Sequence, residues 1–147
     1  MGKRPHIAVS ENHRRGITTA LRLLDEALCE FEQYAQGREV RSVFLRERNR
    51  LTAGQRKAVL DEIRQMKALL QDIQSALGLD SEERDLRTMI WSRSASLWPV
   101  LVETGSRYLR RYGDVPKELG AYLDPRIEEL IRHLQALPGL ADERRRT

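Results

Sequence analysis

The chain has 147 residues, close to the commonest size for one folded domain, and 40% hydrophobic against 33% charged residues leaves enough apolar material for a core. Aromatic residues are only 5%, glycine and proline are sparse, and leucine, arginine, glutamate and alanine abound, a balance that disfavours a β-sandwich or barrel and favours helices. Lys plus Arg (26) exceed Asp plus Glu (22), a net charge of +4 that points mildly toward anionic partners, while the single cysteine, Cys29, excludes an internal disulfide and suits a reducing cytoplasm.

The N-terminal MGKRPHIAVS carries basic residues but no apolar run long enough for a signal-peptide core, and no stretch of the chain reaches the ~20 apolar residues that span a bilayer. A cytoplasmic protein without membrane contact is expected. Residues 1–10 read as a flexible N-terminus.

The first helix is predicted from about residue 11 to 36. Ile17, Leu21, Leu24, Leu28, Phe31 and Ala35 recur at alternating steps of four and three along one face. Ser10 or Asn12 can cap its start and Gly37 can end it. Cys29 sits beside Leu28 and reads as a small, half-buried seam neighbour rather than a nucleophile.

From Arg38 to Lys57 the chain is strongly basic: Arg38, Arg41, Arg46, Arg48, Arg50, Arg56 and Lys57 stand against Glu39 and Glu47. Val40, Val43, Phe44 and Leu51 fit an amphipathic helix, whereas Val43 and Leu45 with the alternating arginines partly fit a strand. A short helix near residues 40–50, followed by an irregular turn, is expected because no partner strand is evident elsewhere.

Thr52 and Gln55 have capping-box spacing and open a second helix that Gly78 can close. Val59, Ile63, Met66, Leu70, Ile73 and Leu77 repeat the steps of the first seam, so these two helices are predicted to pack side by side.

A third helical stretch opens at Asp80 or Ser81 and is predicted to run as far as Tyr112, kinked near Pro99, before Gly113 stops it. Leu86, Ile90, Leu97, Leu101 and Tyr108 define one face. Trp91, Trp98, Val102 and Leu109 lie about 100° round the wheel at ~3.6 residues per turn, more apolar surface than one seam requires. Arg84, Arg87, Arg107, Arg110 and Arg111 border this stretch and read as a solvated rim.

Residues 116–123 are expected to form one or two helical turns. The last helix starts at Asp124-Pro125, a cap followed by proline at the first helical position, and buries Ile127, Leu130, Ile131, Leu134 and Leu137 before Leu137-Pro138-Gly139 ends it. The expected architecture is therefore all-α: a bundle of four main helices over residues 11–137 as a single domain, with short additional turns and a flexible basic tail at 138–147.

No catalytic or cofactor signature appears. None of His6, His13 and His133 has Glu three residues before it, so a di-iron bundle is disfavoured, and Glu129 with His133 makes an ordinary surface pair. One cysteine cannot build a thiolate cluster, phosphate loops are absent, and the pairs Glu82/Glu83 and Glu128/Glu129 sit where a helix dipole accounts for them. With no catalytic residue, cofactor or metal assigned, the leading expectation is a non-catalytic interaction or scaffold protein. It would self-associate, or bind another protein, through Trp91, Trp98, Val102 and Leu109. The alternative is a nucleic-acid-associated protein using Arg46, Arg48 and Arg50 of the basic segment. A third is a helical bundle with a small-ligand pocket beside the Pro99 interruption.

Overall fold

The computed structural model describes residues 6–142. The fold is all-α with four main helices: α1 (Glu11–Ala35), α2 (Ala53–Leu77), α3 (Leu86–Val102) and α5 (Lys117–Ala141), with a one-turn helix α4 (Ser106–Leu109) leading into a 3-10 turn over Arg110–Tyr112. Two compact units divide the chain, residues 1–81 and 82–147. Of the loose termini expected from sequence, residues 1–5 and 143–147 lie outside the described residues.

In the first unit α1 and α2 form an antiparallel pair. Ser10 caps α1 by accepting from the His13 N–H at 3.2 Å. The expected capping box opens α2: Thr52 Oγ1 accepts from the Gln55 N–H at 3.1 Å, and Gln55 Oε1 accepts from the Thr52 N–H at 2.9 Å. Gly37 and Gly78 both take the positive φ predicted for helix ends, and behind Gly78 the Leu79 N–H returns to the Gln74 carbonyl at 3.0 Å, tucking Leu79 inward. Both seams face inward, with Leu28, Ala35 and Ile63 buried, although Phe31 at the edge of its seam remains exposed. Lys67 of α2 donates to Glu32 of α1 at 2.7 Å across the pair, and this pairing raises the lysine pKa against the opposing effect of desolvation. The Ile7 N–H donates to the Ala76 carbonyl at 2.8 Å.

The connection between α1 and α2 is not the expected short helix. Residues 38–50 form an extended tongue in which Arg41 and Arg46 pair as an antiparallel bridge and Val43-Phe44 makes the bend. The partner strand thought to be missing is the segment's own other half. Side chains explain why helix loses here: Asn49 Nδ2 donates to the carbonyls of Tyr34 and Arg38, Glu47 Oε1 accepts from the Val40 N–H, and Glu39 Oε1 accepts from the Asn49 N–H. These bonds satisfy backbone groups that a helix would otherwise have to pair along its axis.

In the second unit α3 begins at Leu86, later than expected, because Asp85 is its cap and accepts from the Arg87 N–H at 2.9 Å. Ser81 is engaged elsewhere, by Gln74 Nε2 at 3.2 Å. The helix continues through Pro99 but ends at Val102 rather than Tyr112; Gly105 is extended at the next break and α4 then restarts. Asp124 caps that restart from across the unit. Its Oδ1 accepts from the Ser106 N–H at 2.8 Å and its Oδ2 from Ser106 Oγ at 2.5 Å.

Asp124 is therefore not the start of the last helix, as its Asp-Pro signature suggested. The short turn expected at 116–123 is the beginning of α5, which runs unbroken through Pro125 and past Pro138 to Ala141. Pro125 has no N–H to give the carbonyl one turn earlier. Arg126 reinforces the site, donating to the Tyr122 carbonyl at 2.7 Å with its guanidinium 3.7 Å from the Tyr122 ring centre. Pro138 is half-buried at helical spacing from Ile131 and Leu134, so packing offsets the bond it removes. The α5 stripe that faces inward is Leu123, Ile127, Ile131 and Leu134, while Leu130 and Leu137, expected inside, are 52% and 46% exposed.

Candidate functional site

Two surfaces carry the residues singled out from the sequence, one in each unit.

On α3, Trp91, Trp98 and Val102 share a stripe within about 40° at ~3.6 residues per turn, and Leu109 falls outside it because the helix has ended before α4 begins. Ser94 is the buried residue of α3, and it lies between this stripe and the one formed by Ile90, Leu97 and Leu101. A small buried side chain allows close approach by a neighbouring helix, and α3 packs chiefly on α5. The bulky residues on both flanks are consequently left in solvent: Trp91 is 64% exposed and Trp98 44%, with Leu86, Ile90, Leu97 and Val100 also exposed. Charge near the stripe is partly neutralised, since Arg87 Nη2 lies 2.8 Å from Asp85 Oδ2 and holds that carboxyl below the usual aspartate range. Farther along, Arg107 and Arg111 lean over Tyr108, and Arg111 pairs with Glu103 at 3.5 Å, as a solvated rim would.

In the tongue, Arg46, Arg48 and Arg50 are all exposed while Glu47 and Asn49 between them are half-buried, the alternation of an extended chain. Glu47 is held by Arg38 at 3.3 Å and Glu39 by Arg41 at 3.6 Å. The Asn49 N–H, then Arg41 and Arg48, keep the Glu39 carboxyl below its ordinary value. Among the described residues, the side chains of Arg46 and Arg50 have no hydrogen-bond or ion-pair partner. The tip is unexpected: Val43 and Phe44 are 90% and 101% exposed, and Leu45 is exposed beside them. Sequence reasoning treated these residues as packing material. Their signal was three consecutive apolar residues, between Ser42 and Arg46 in an arginine-rich segment with no helical seam to join.

At the foot of the tongue an open groove runs along the start of α2 between Leu51, Arg56, Lys57, Leu60 and Arg64. Arg56 Nε is buried there without a hydrogen-bond partner, and its guanidinium covers Gly37.

Cys29 is exposed rather than half-buried, because its position on α1 falls outside the seam. His133 Nε2 and Glu129 Oε1 stand 3.9 Å apart on the open side of α5. Among the described residues, no three His, Cys, Asp or Glu side chains cluster to hold a metal ion, and no helix is long and apolar enough to cross a membrane. No protein-family model matches this chain, and no curated protein or solved structure matches it.

Proposed function

We propose that the chain is a non-catalytic helical interaction protein that self-associates through the tryptophan side of α3. The observation that supports this reading is the exposure of Trp91 and Trp98 on a helix that is apolar around most of its circumference. A helix of that kind is ordinarily enclosed on several sides. Within residues 82–147 only Ser94 and Ile127 are buried among the described residues, so this unit lacks the core that a free-standing domain of its size needs. Tryptophans in a contiguous apolar patch are favoured anchors of protein contacts. A second copy meets the same patch with itself about a twofold axis, so one set of residues completes both halves of the interface.

Sedimentation velocity over a hundredfold concentration range tests the reading. A reversible dimer is expected, with acrylamide quenching of tryptophan fluorescence falling as the dimer forms. Trp98→Glu shifts the equilibrium to monomer with unchanged helical circular dichroism. A monomer at every concentration overturns the proposal.

A further inference from the structure

The tongue between α1 and α2 presents two features that neither the helix packing nor the α3 patch uses. Its bend places a fully exposed phenylalanine, Phe44, beside the nearly fully exposed Val43. Behind Phe44, Arg46, Arg48 and Arg50 follow at every second position of an extended segment, all of them exposed. At ~3.3 Å per residue, alternate positions on one side of such a segment stand about 6.6 Å apart. That spacing is comparable to the separation of successive phosphates along an extended nucleic-acid strand. Arg41 and Arg46 also face each other across the bridge, and because Arg41 is held by Glu39 at 3.6 Å, Arg46 is the one of the two left to meet an anion.

We propose that the tongue binds single-stranded nucleic acid, with a base stacked on Phe44 and consecutive phosphates on Arg46, Arg48 and Arg50. An aromatic platform accepts any base face, and arginine is suited to a phosphate because its planar fork can donate two hydrogen bonds at once. The intervening Glu47 and Asn49 are engaged inward, with Arg38, the Val40 N–H and the Tyr34 carbonyl. Glu39, which accepts from the Asn49 N–H and pairs with Arg41, lies close enough to Arg48 to feel its charge, so Arg46 and Arg50 are the members of the row left without a partner among the described residues. The geometry favours a linear polyanion over an anionic membrane. A tip seated in a lipid surface would leave Arg50 about 20 Å behind Phe44 at ~3.3 Å per residue, beyond the ~8 Å over which a charged plane acts at physiological salt. A strand lying along the tongue reaches every arginine. This inference is independent of the α3 patch, which belongs to the other unit.

The test is fluorescence anisotropy of the full chain with a labelled single-stranded oligothymidylate and oligouridylate, a duplex of the same length, and vesicles containing phosphatidylserine, across a salt series. Binding to the single strands is expected, with a log–log salt slope of about −2 for three phosphate contacts at ~0.7 each. The triple variant Arg46→Ala/Arg48→Ala/Arg50→Ala removes most of that slope. Phe44→Ala weakens binding about tenfold and leaves the slope unchanged, because stacking releases no counterions. Helical circular dichroism confirms that these exposed substitutions leave the fold in place. Absence of single-strand binding at low salt overturns the proposal. So does a slope that survives the triple variant, or binding confined to the duplex or to the vesicles.

Discussion

Ser106 and Asp124, eighteen positions apart, close the start of α4 together: the carboxylate of one helix accepts both the backbone N–H and the hydroxyl of the residue that opens another. The hydrogen bonds from Ser106, side chain first and backbone second, hold the Asp124 carboxyl below its ordinary value of 3.8. A carboxyl depressed in the folded state stabilises that state above the unfolded pKa, and the benefit is lost as pH falls through the lower folded value. The protection of the Ser106 amide, its exchange rate relative to that of an unstructured peptide at the same pH, is therefore expected to fall on acidification below about 3.8. In Asp124→Ala that protection is already lost at neutral pH and no longer steps with acid. A Ser106 amide indifferent to the substitution would refute the capping role.

Lys67 and Glu32 give the opposite sign in the first unit. The lysine pKa is raised by its partner, so its contribution is complete below the ordinary 10.5 and fades as pH rises through the raised value. Both side chains are about one-third exposed, and solvent screening keeps the coupling small, about 0.5 kcal/mol. A double-mutant cycle with Lys67→Gln and Glu32→Gln in urea is expected to return that coupling at pH 7 and a diminishing one as pH rises beyond 10.5 through the raised lysine value.

Glycines separate by their surroundings. Gly16 lies inside α1 with open space where a Cβ would stand, so Gly16→Ala is expected to stabilise the first unit by about 0.5–1 kcal/mol. Gly78→Ala is expected to destabilise by about 1 kcal/mol, since its φ of +59° disfavours a side chain and a Cβ would stand 3.3 Å from His6 Cε1. Urea midpoints moving in opposite directions check both.

Leu28 is 2% exposed at the centre of the first seam, and Leu28→Ala is expected to cost about 3 kcal/mol in chemical unfolding. Phe44→Ala, with nothing packed on the ring, is expected to change stability by less than about 0.5 kcal/mol. A large loss at Phe44 would mean that the ring is covered in solution.

The parts of the fold that sequence made legible are those decided within one or two helical turns. The seams of α1 and α2, the cap at Ser10, the box at Thr52 and Gln55, and the end at Gly78 all depend on residues three or four apart. Where a side chain reaches farther, the same signals mislead. Asp124 has the form of a local cap yet serves Ser106, and Asn49 stabilises the tongue by bonding the carbonyl of Tyr34, fifteen residues earlier. The arginine row could be seen as alternating charge, but its exposure depended on the extended backbone, which the local pattern of Val40 and Phe44 concealed. The tryptophan stripe was visible. Its exposure was not, because it follows from where Ser94 sets the line of burial on α3.

The antiparallel partners in the first unit are joined by a single connection, residues 36–52, whose closure entropy grows only logarithmically with its length. Chain closure is then cheap in entropy, and a pair of this kind forms on the fast side of the range for small proteins. Because the bend at Val43-Phe44 takes no part in the helix seams, extra glycine and serine residues spliced there lengthen the loop at only a logarithmic penalty. The tongue is thus the place where this chain can accept new sequence, or trade one recognition element for another, without renegotiating how the helices meet.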